Sequence, residues 1–143
     1  MKDLEVNCKQ VKASVTRSKE IMDKAELKLR TKQFAVNVIK LIDELPQKPS
    51  LNVLSNQLLR CSSSVGANYR SACRGKSTAD FINKIVIVEE EADESIYWLE
   101  LMEETTLVGS KEIFALKKEA NELTAIFTAI GKTAKANQKL SKK

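Results

Sequence analysis

Histidine is missing from all 143 residues. That absence excludes Ser-His and Cys-His catalytic pairs and nearly all zinc and di-iron motifs, which depend on imidazole. Glycine (4) and proline (2) are scarce, too few for the many tight turns of a sandwich or barrel. The three cysteines, Cys8, Cys61 and Cys73, are odd in number and form no CxxC pair. They read as ordinary thiols, not as a disulfide framework or zinc site. The longest apolar run, Ile85-Val86-Ile87-Val88, is far short of a bilayer span, and the opening MKDLEVNCK has no signal-peptide apolar core. A cytoplasmic protein without membrane contact is the expectation.

What the chain does have is helical periodicity. With 43% hydrophobic and 30% charged residues it can bury one modest core, and apolar residues recur in alternating steps of three and four over four segments. The first runs from about Ala25 to Leu45, with Leu27, Phe34, Val38, Leu41 and Leu45 in one seam, and stops at Pro46 and Pro49. The second starts near Ser50, read as its N-cap, and carries Leu51, Leu54, Leu58, Cys61, Val65, Asn68 and Ala72 before Gly75. Ser77-Thr78-Ala79-Asp80 resembles a capping box and opens the third, with Phe81, Ile85, Val88, Ala92, Ser95, Leu99 and Met102. After Gly109 and Ser110 the fourth places Ile113, Leu116, Ala120, Leu123, Phe127 and Ile130 in register. Short connections between long helices favour antiparallel neighbours, so the predicted fold is all-α, an up-down-up-down four-helix bundle over residues 25–131. Residues 1–24 form a separate extension with a weak helical seam of Leu4, Cys8, Val11, Val15 and Met22. Residues 132–143 hold Lys132, Lys135, Lys139, Lys142 and Lys143 without an acid, and are read as a disordered basic tail. These five account for the whole net charge of +5, leaving 19 cations against 19 anions elsewhere. Such a tail attracts RNA or DNA phosphates without reading sequence.

The third segment is more apolar than a single inward stripe requires. Ile87, Trp98 and Leu101 lie off its seam, and Tyr97 and Trp98 are consecutive, so about 100° of rotation separates them. An aromatic surface of this kind marks an interface, and Ile87, Tyr97, Trp98 and Leu101 are the candidate contacts for self-association.

The stretch RCSSSVGANYRSACRGKSTADF, residues 60–81, raises three readings. A phosphate loop needs a glycine-rich turn after a strand, and a serine nucleophile needs a base, for which only Lys84 is near in sequence; both fit poorly. The third is a helix whose small residues, Ser64, Gly66, Ala67 and Ser71, admit a close neighbour. Within it Asn68 falls in the apolar seam, where an unpaired amide costs about 1–3 kcal/mol. A hydrogen bond from Asn68 to Glu91 or Glu94 on the third helix is therefore expected. Arg60, Arg70 and Arg74 form an outer stripe continued by Lys76, with no acid from residue 60 to 79. With Lys132, Lys135 and Lys139 they are the candidate nucleic-acid contacts. The cluster of Glu89, Glu90, Glu91, Asp93 and Glu94 lacks the Glu-x-x-His partners of a di-metal bundle and reads as solvated or ion-paired. No cofactor, metal or catalytic residue is assigned.

Taken together, NQLLRCSSSVGANYRSACRGKSTADFINKIVIVEEEADESIYWLELM (residues 56–102) and RTKQFAVNVIKLIDELP (residues 30–46) resemble a known family. It comprises the small four-helix-bundle proteins encoded in intervening sequences of bacterial large-subunit (23S) ribosomal RNA genes. The resemblance is carried by Gln57, Arg60, Ser64, Val65, Gly66, Ala67, Asn68 and Arg74, by Phe81, Ile82 and Lys84, and by Glu91, Ala92, Glu94, Tyr97, Trp98 and Leu99. Ser71 and Glu90 depart from it, standing where the family often has an acid and a lysine. The resemblance implies a homopentameric, barrel-like ring. It also implies kinship with the accessory variability protein of diversity-generating retroelements, which works with a reverse transcriptase and contacts nucleic acid through basic surfaces. The expected function is a non-enzymatic oligomeric scaffold that binds RNA or DNA weakly and without sequence readout. The alternative is a protein-interaction adaptor, for example an accessory subunit of a reverse transcriptase.

Overall fold

The structure is a computed structural model that describes residues 22–105 and 110–142. Among these residues there are four helices and no strands: α1 (Lys24–Glu44), α2 (Pro49–Cys73), α3 (Thr78–Thr105) and α4 (Ser110–Ser141). Each packs on its two neighbours around a ring, α1 on α2 and α4, and α3 on α2 and α4. Cross-helix contacts fix the directions. Glu89 meets Thr128 while Glu103 meets Lys117, and Cys61 meets Ser95 while Gly75 lies against Asp80, so α3 runs antiparallel to both α4 and α2. Gly66 meets Thr31 across the short connection that turns α1 back into α2. The bundle is up-down-up-down. The chain ahead of residue 22, expected to carry a weak helix, lies outside the described residues.

Helix ends follow local chemistry. Asp23 Oδ1 accepts from the Ala25 N–H at 3.1 Å and caps α1. At its other end Leu45 turns extended ahead of Pro46, as the residue before a proline must. α2 begins two residues earlier than expected, with Pro49 in the first turn and Lys48, not Ser50, as the cap residue, whose side chain makes no cap hydrogen bond. Proline fits there because its missing N–H would have had no partner. Ser77 Oγ accepts from the Asp80 N–H at 3.1 Å, as the capping box predicts. The Asp80 carboxylate accepts from the Lys76 N–H, 3.3 Å away.

The core is the predicted seams with changes at particular positions. Leu27, Phe34, Val38, Leu58, Cys61, Val65, Ile85, Val88, Leu99, Ile113, Leu123 and Phe127 are all buried. Asn68 is only half-buried, and Tyr69 takes the inward place, its ring 5.2 Å from that of Phe127. Thr31 and Ser62 are buried polar residues that the apolar seams passed over, and each hydroxyl bonds back to its own helix. Among the described residues no buried side-chain nitrogen or oxygen lacks a partner. The basic tail is not irregular: α4 continues through Lys132, Lys135 and Lys139 to Ser141. Ala, Gln, Lys and Leu dominate this stretch, and they extend a helix already nucleated by the bundle at little cost.

Candidate functional site

Two helix contacts set up the surface. On one side of α2, Gly66 lies against α1: a Cβ built there would stand 3.3 Å from Thr31 Oγ1 and 3.4 Å from the Thr31 carbonyl carbon. On the other side Ser95 Oγ of α3 lies 3.2 Å from Cys61 Sγ. Of the small residues that the sequence singled out, Gly66 is the one with a close neighbour shown, and that neighbour is the backbone of α1.

The expected hydrogen bond from Asn68 to Glu91 or Glu94 is absent. Asn68 Nδ2 donates to the Ser64 carbonyl of its own helix at 2.9 Å. Because the amide sits at the edge of the seam and not inside it, its own backbone is the nearer acceptor. The two carboxylates serve Arg60 instead, Glu91 at 3.5 Å and Glu94 by a closer ion pair. Glu94 also accepts from the Trp98 indole N–H at 3.0 Å. The indole bond, and then Arg60, hold the Glu94 carboxyl below the usual range. Glu91 goes the other way, pushed up by burial that Arg60 only partly offsets. Arg60, half-exposed and already paired, is therefore a weaker candidate for a phosphate than its neighbours on the stripe.

Arg70, Arg74 and Lys76 are exposed, and among the described residues no ion pair engages them. Two grooves meet along this part of α2. One, toward α3, is lined by Ala67, Arg70, Ser71, Arg74, Lys76, Asp80 and Lys84. Asp80 there pairs with Lys84 at 3.3 Å, leaving the arginines and Lys76 unopposed. The other groove, toward α1, is lined by Lys28, Leu29, Lys32, Ala35, Ser63, Gly66, Ala67, Arg70 and Arg74 among others. Lys28 and Lys32 were not anticipated. Their signal was present, since they stand one helical turn apart on the antiparallel neighbour of Arg70 and Arg74.

The antiparallel arrangement sorts charge along the bundle axis. The start of α1, the end of α2, the start of α3 and the end of α4 share one end of the molecule. Residues 22–32, 66–89 and 128–142, which make up that end, hold 12 Lys or Arg and 4 Asp or Glu. The remaining described residues hold 6 Lys or Arg and 12 Asp or Glu. A body that is neutral as a sum is strongly polarised in space. The lysines at 132, 135 and 139 extend the basic end on α4.

Of the four interface candidates, Tyr97, Trp98 and Leu101 lie toward the acidic end and Ile87 within the basic one. Tyr97 is 53% exposed and Ile87 40%, whereas Trp98 and Leu101 are half-buried. Trp98 packs partly on the core and meets the Tyr97 ring edge-on at 5.1 Å. Of the four expected interface residues, Ile87 and Tyr97 are thus the ones that solvent reaches most. Across the bundle Arg30 of α1 bridges Glu119 and Glu122 of α4, which raises its already high pKa chiefly through the Glu119 hydrogen bond. Among the described residues no three side chains of metal-ligand type converge, and no helix is long and apolar enough to cross a membrane.

Fold and surface together define a class: a small antiparallel four-helix bundle with its charges sorted to opposite ends. Within that class, the family profile of the 23S rRNA-intervening sequence proteins matches residues 23–129, and the chain belongs to that family. The fold is also that of a crystal structure from Bacteroides thetaiotaomicron, a protein of unknown function from the S23 ribosomal protein family. That protein is 34% identical, and the alignment covers 78% of this chain and 99% of the other at a TM-score of 0.71. Comparison with curated proteins finds no match.

Proposed function

We propose that the protein is a non-enzymatic, oligomeric scaffold that binds RNA or DNA through its basic end without reading base sequence. The observation that carries this reading is the excess of cations at one end of the bundle, 12 Lys or Arg against 4 Asp or Glu, where the rest of the described residues hold 6 against 12. Coulomb attraction to phosphates needs only such a field, and clustered side chains strengthen it. Arg70, Arg74 and Lys76 supply the centre of the surface, with Lys132, Lys135 and Lys139 extending it. The test is retention of generic RNA as salt is raised. A protein using four or more phosphate contacts loses affinity steeply, with a log–log slope of roughly −0.9 per contact on a duplex. A slope near zero, or no retention at physiological ionic strength, refutes it.

Assembly belongs to the same proposal. Ile87 and Tyr97 are the exposed large apolar residues of α3, and a homopentamer is the assembly that the family resemblance implies. Sedimentation equilibrium of the wild type and of Ile87→Asp reads the mass directly; a monomeric wild type ends that part. A second reading, an adaptor docking on a protein such as a reverse transcriptase, draws on exposed Leu29, Ile39 and Leu59 along α1 and α2. It predicts protein capture that is insensitive to salt.

A further inference from the structure

Which nucleic acid the basic end takes can be narrowed from where the aromatic rings are. Proteins that hold single strands lay bases on exposed aromatic side chains, at about 1–3 kcal/mol per stacked base. Here the cations and the exposed rings are at opposite ends. Tyr69 is buried and Phe81 packs on the core, while exposed Tyr97 and Phe114 stand among the acids. The basic end therefore has phosphate contacts to offer and no exposed ring for a base, its one partly accessible ring, Phe81, being packed on the core.

Its cations are also arranged in two rows. Lys28 and Lys32 are one turn apart on α1, and Arg70 and Arg74 are one turn apart on α2, on the two sides of a shared groove. The approach of Gly66 to the Thr31 backbone fixes the spacing of these two helices. Close-packed helix axes stand about 8–10 Å apart. Two parallel rows at fixed separation suit a partner that itself carries two phosphate rows at fixed separation. A duplex is such a partner, stiff over a length of about 150 base pairs. A flexible single strand gains little from the second row.

Resting on the nucleic-acid reading above, we infer that the basic end grips a double helix, RNA or DNA, by its two phosphate rows and discriminates against single strands.

Fluorescence anisotropy on the full chain tests this with four probes of equal phosphate number: an RNA duplex, a DNA duplex, and unstructured oligo(U) and oligo(dT) of twice the length. At least one duplex is expected to bind about ten-fold or more tightly than either single strand, a gap near 1.4 kcal/mol. Which duplex is the tighter separates the RNA and DNA sources. Lys28→Ala/Lys32→Ala/Arg70→Ala/Arg74→Ala alters only exposed side chains. It is expected to keep the wild-type helical circular dichroism while reducing the duplex salt slope by about 3–4 for each subunit in contact. Single strands bound as tightly as duplexes would overturn the inference and leave the nucleic-acid reading standing. A quadruple variant with an unchanged duplex slope would overturn the two-row grip. Binding to none of the four probes removes both.

Discussion

Gly66 of α2 and Thr31 of α1 touch so closely that a Cβ at position 66 would lie 3.3 Å from the threonine hydroxyl and 3.4 Å from its carbonyl carbon. The hydroxyl cannot swing away freely, because Thr31 is buried and bonded to the Leu27 and Lys28 carbonyls at 2.9 and 3.0 Å. Alanine at 66 gains about 1 kcal/mol of helix propensity and meets a squeeze of similar size, so Gly66→Ala should stay within about 1 kcal/mol of wild type. Gly66→Leu has no such balance. It must push α1 aside, and urea denaturation should show a loss of about 1–3 kcal/mol. An unaffected leucine variant would mean that the helices are not held together here.

A second prediction concerns pH. Glu94 binds its proton more weakly in the folded state than in the unfolded one. Its stabilising effect is complete above the ordinary glutamate pKa of about 4.3 and fades as pH falls through the lowered folded value. Glu91 has the opposite sign: its raised pKa costs stability above the ordinary value, and acid relieves that cost. Melting curves mix the two, so the readout should be a carboxyl-resolved NMR titration. Trp98→Phe removes the indole N–H that does most to lower the Glu94 pKa while leaving an aromatic ring in place. The Glu94 pKa should rise toward normal. No movement would show that Arg60 alone holds it.

The buried thiol gives a third. Cys61 is fully buried, and burial pushes its pKa up, with the Ser95 hydroxyl acting the other way. In a Cys8→Ser/Cys73→Ser background the remaining thiol should resist alkylation in native buffer. It should react as denaturant unfolds the bundle, since the thiolate is the nucleophile. Rapid native labelling would contradict the α2–α3 packing.

The end of α4 can be separated from the core. Gly131 is the last buried position at this end, and Lys132, Lys135 and Lys139 beyond it are exposed. Deleting residues 132–143 should change unfolding free energy by no more than about 0.5 kcal/mol, the usual range for surface changes. The same deletion should weaken RNA binding and lower the salt slope. A melting temperature that collapses would instead assign this stretch a structural role.

The seams show how far the sequence reaches. Leu27, Phe34, Val38, Leu58, Val65, Ile85, Leu99, Leu123 and Phe127 were all legible, because a period of 3.6 identifies a face without knowledge of what covers it. The choice between Asn68 and Tyr69 was not. From Val65, steps of three and four both land near the seam, and only the presence of Phe127 on α4 favours the tyrosine ring. Arg60 likewise read as a free cation until Glu91 and Glu94 were found opposite it on α3.

Periodicity, the two prolines and the capping serine at position 77 were enough by themselves to determine four helices, their order and their antiparallel course. Charge polarity was decided in three dimensions. Lys28 and Lys32, Arg70 and Arg74, and the lysines of α4 are far apart along the chain, and a running sum of charge cancels them against acids elsewhere. They share one end because each reversal of direction brings distant segments to the same level, and electrostatic attraction depends on distance in space, not along the chain.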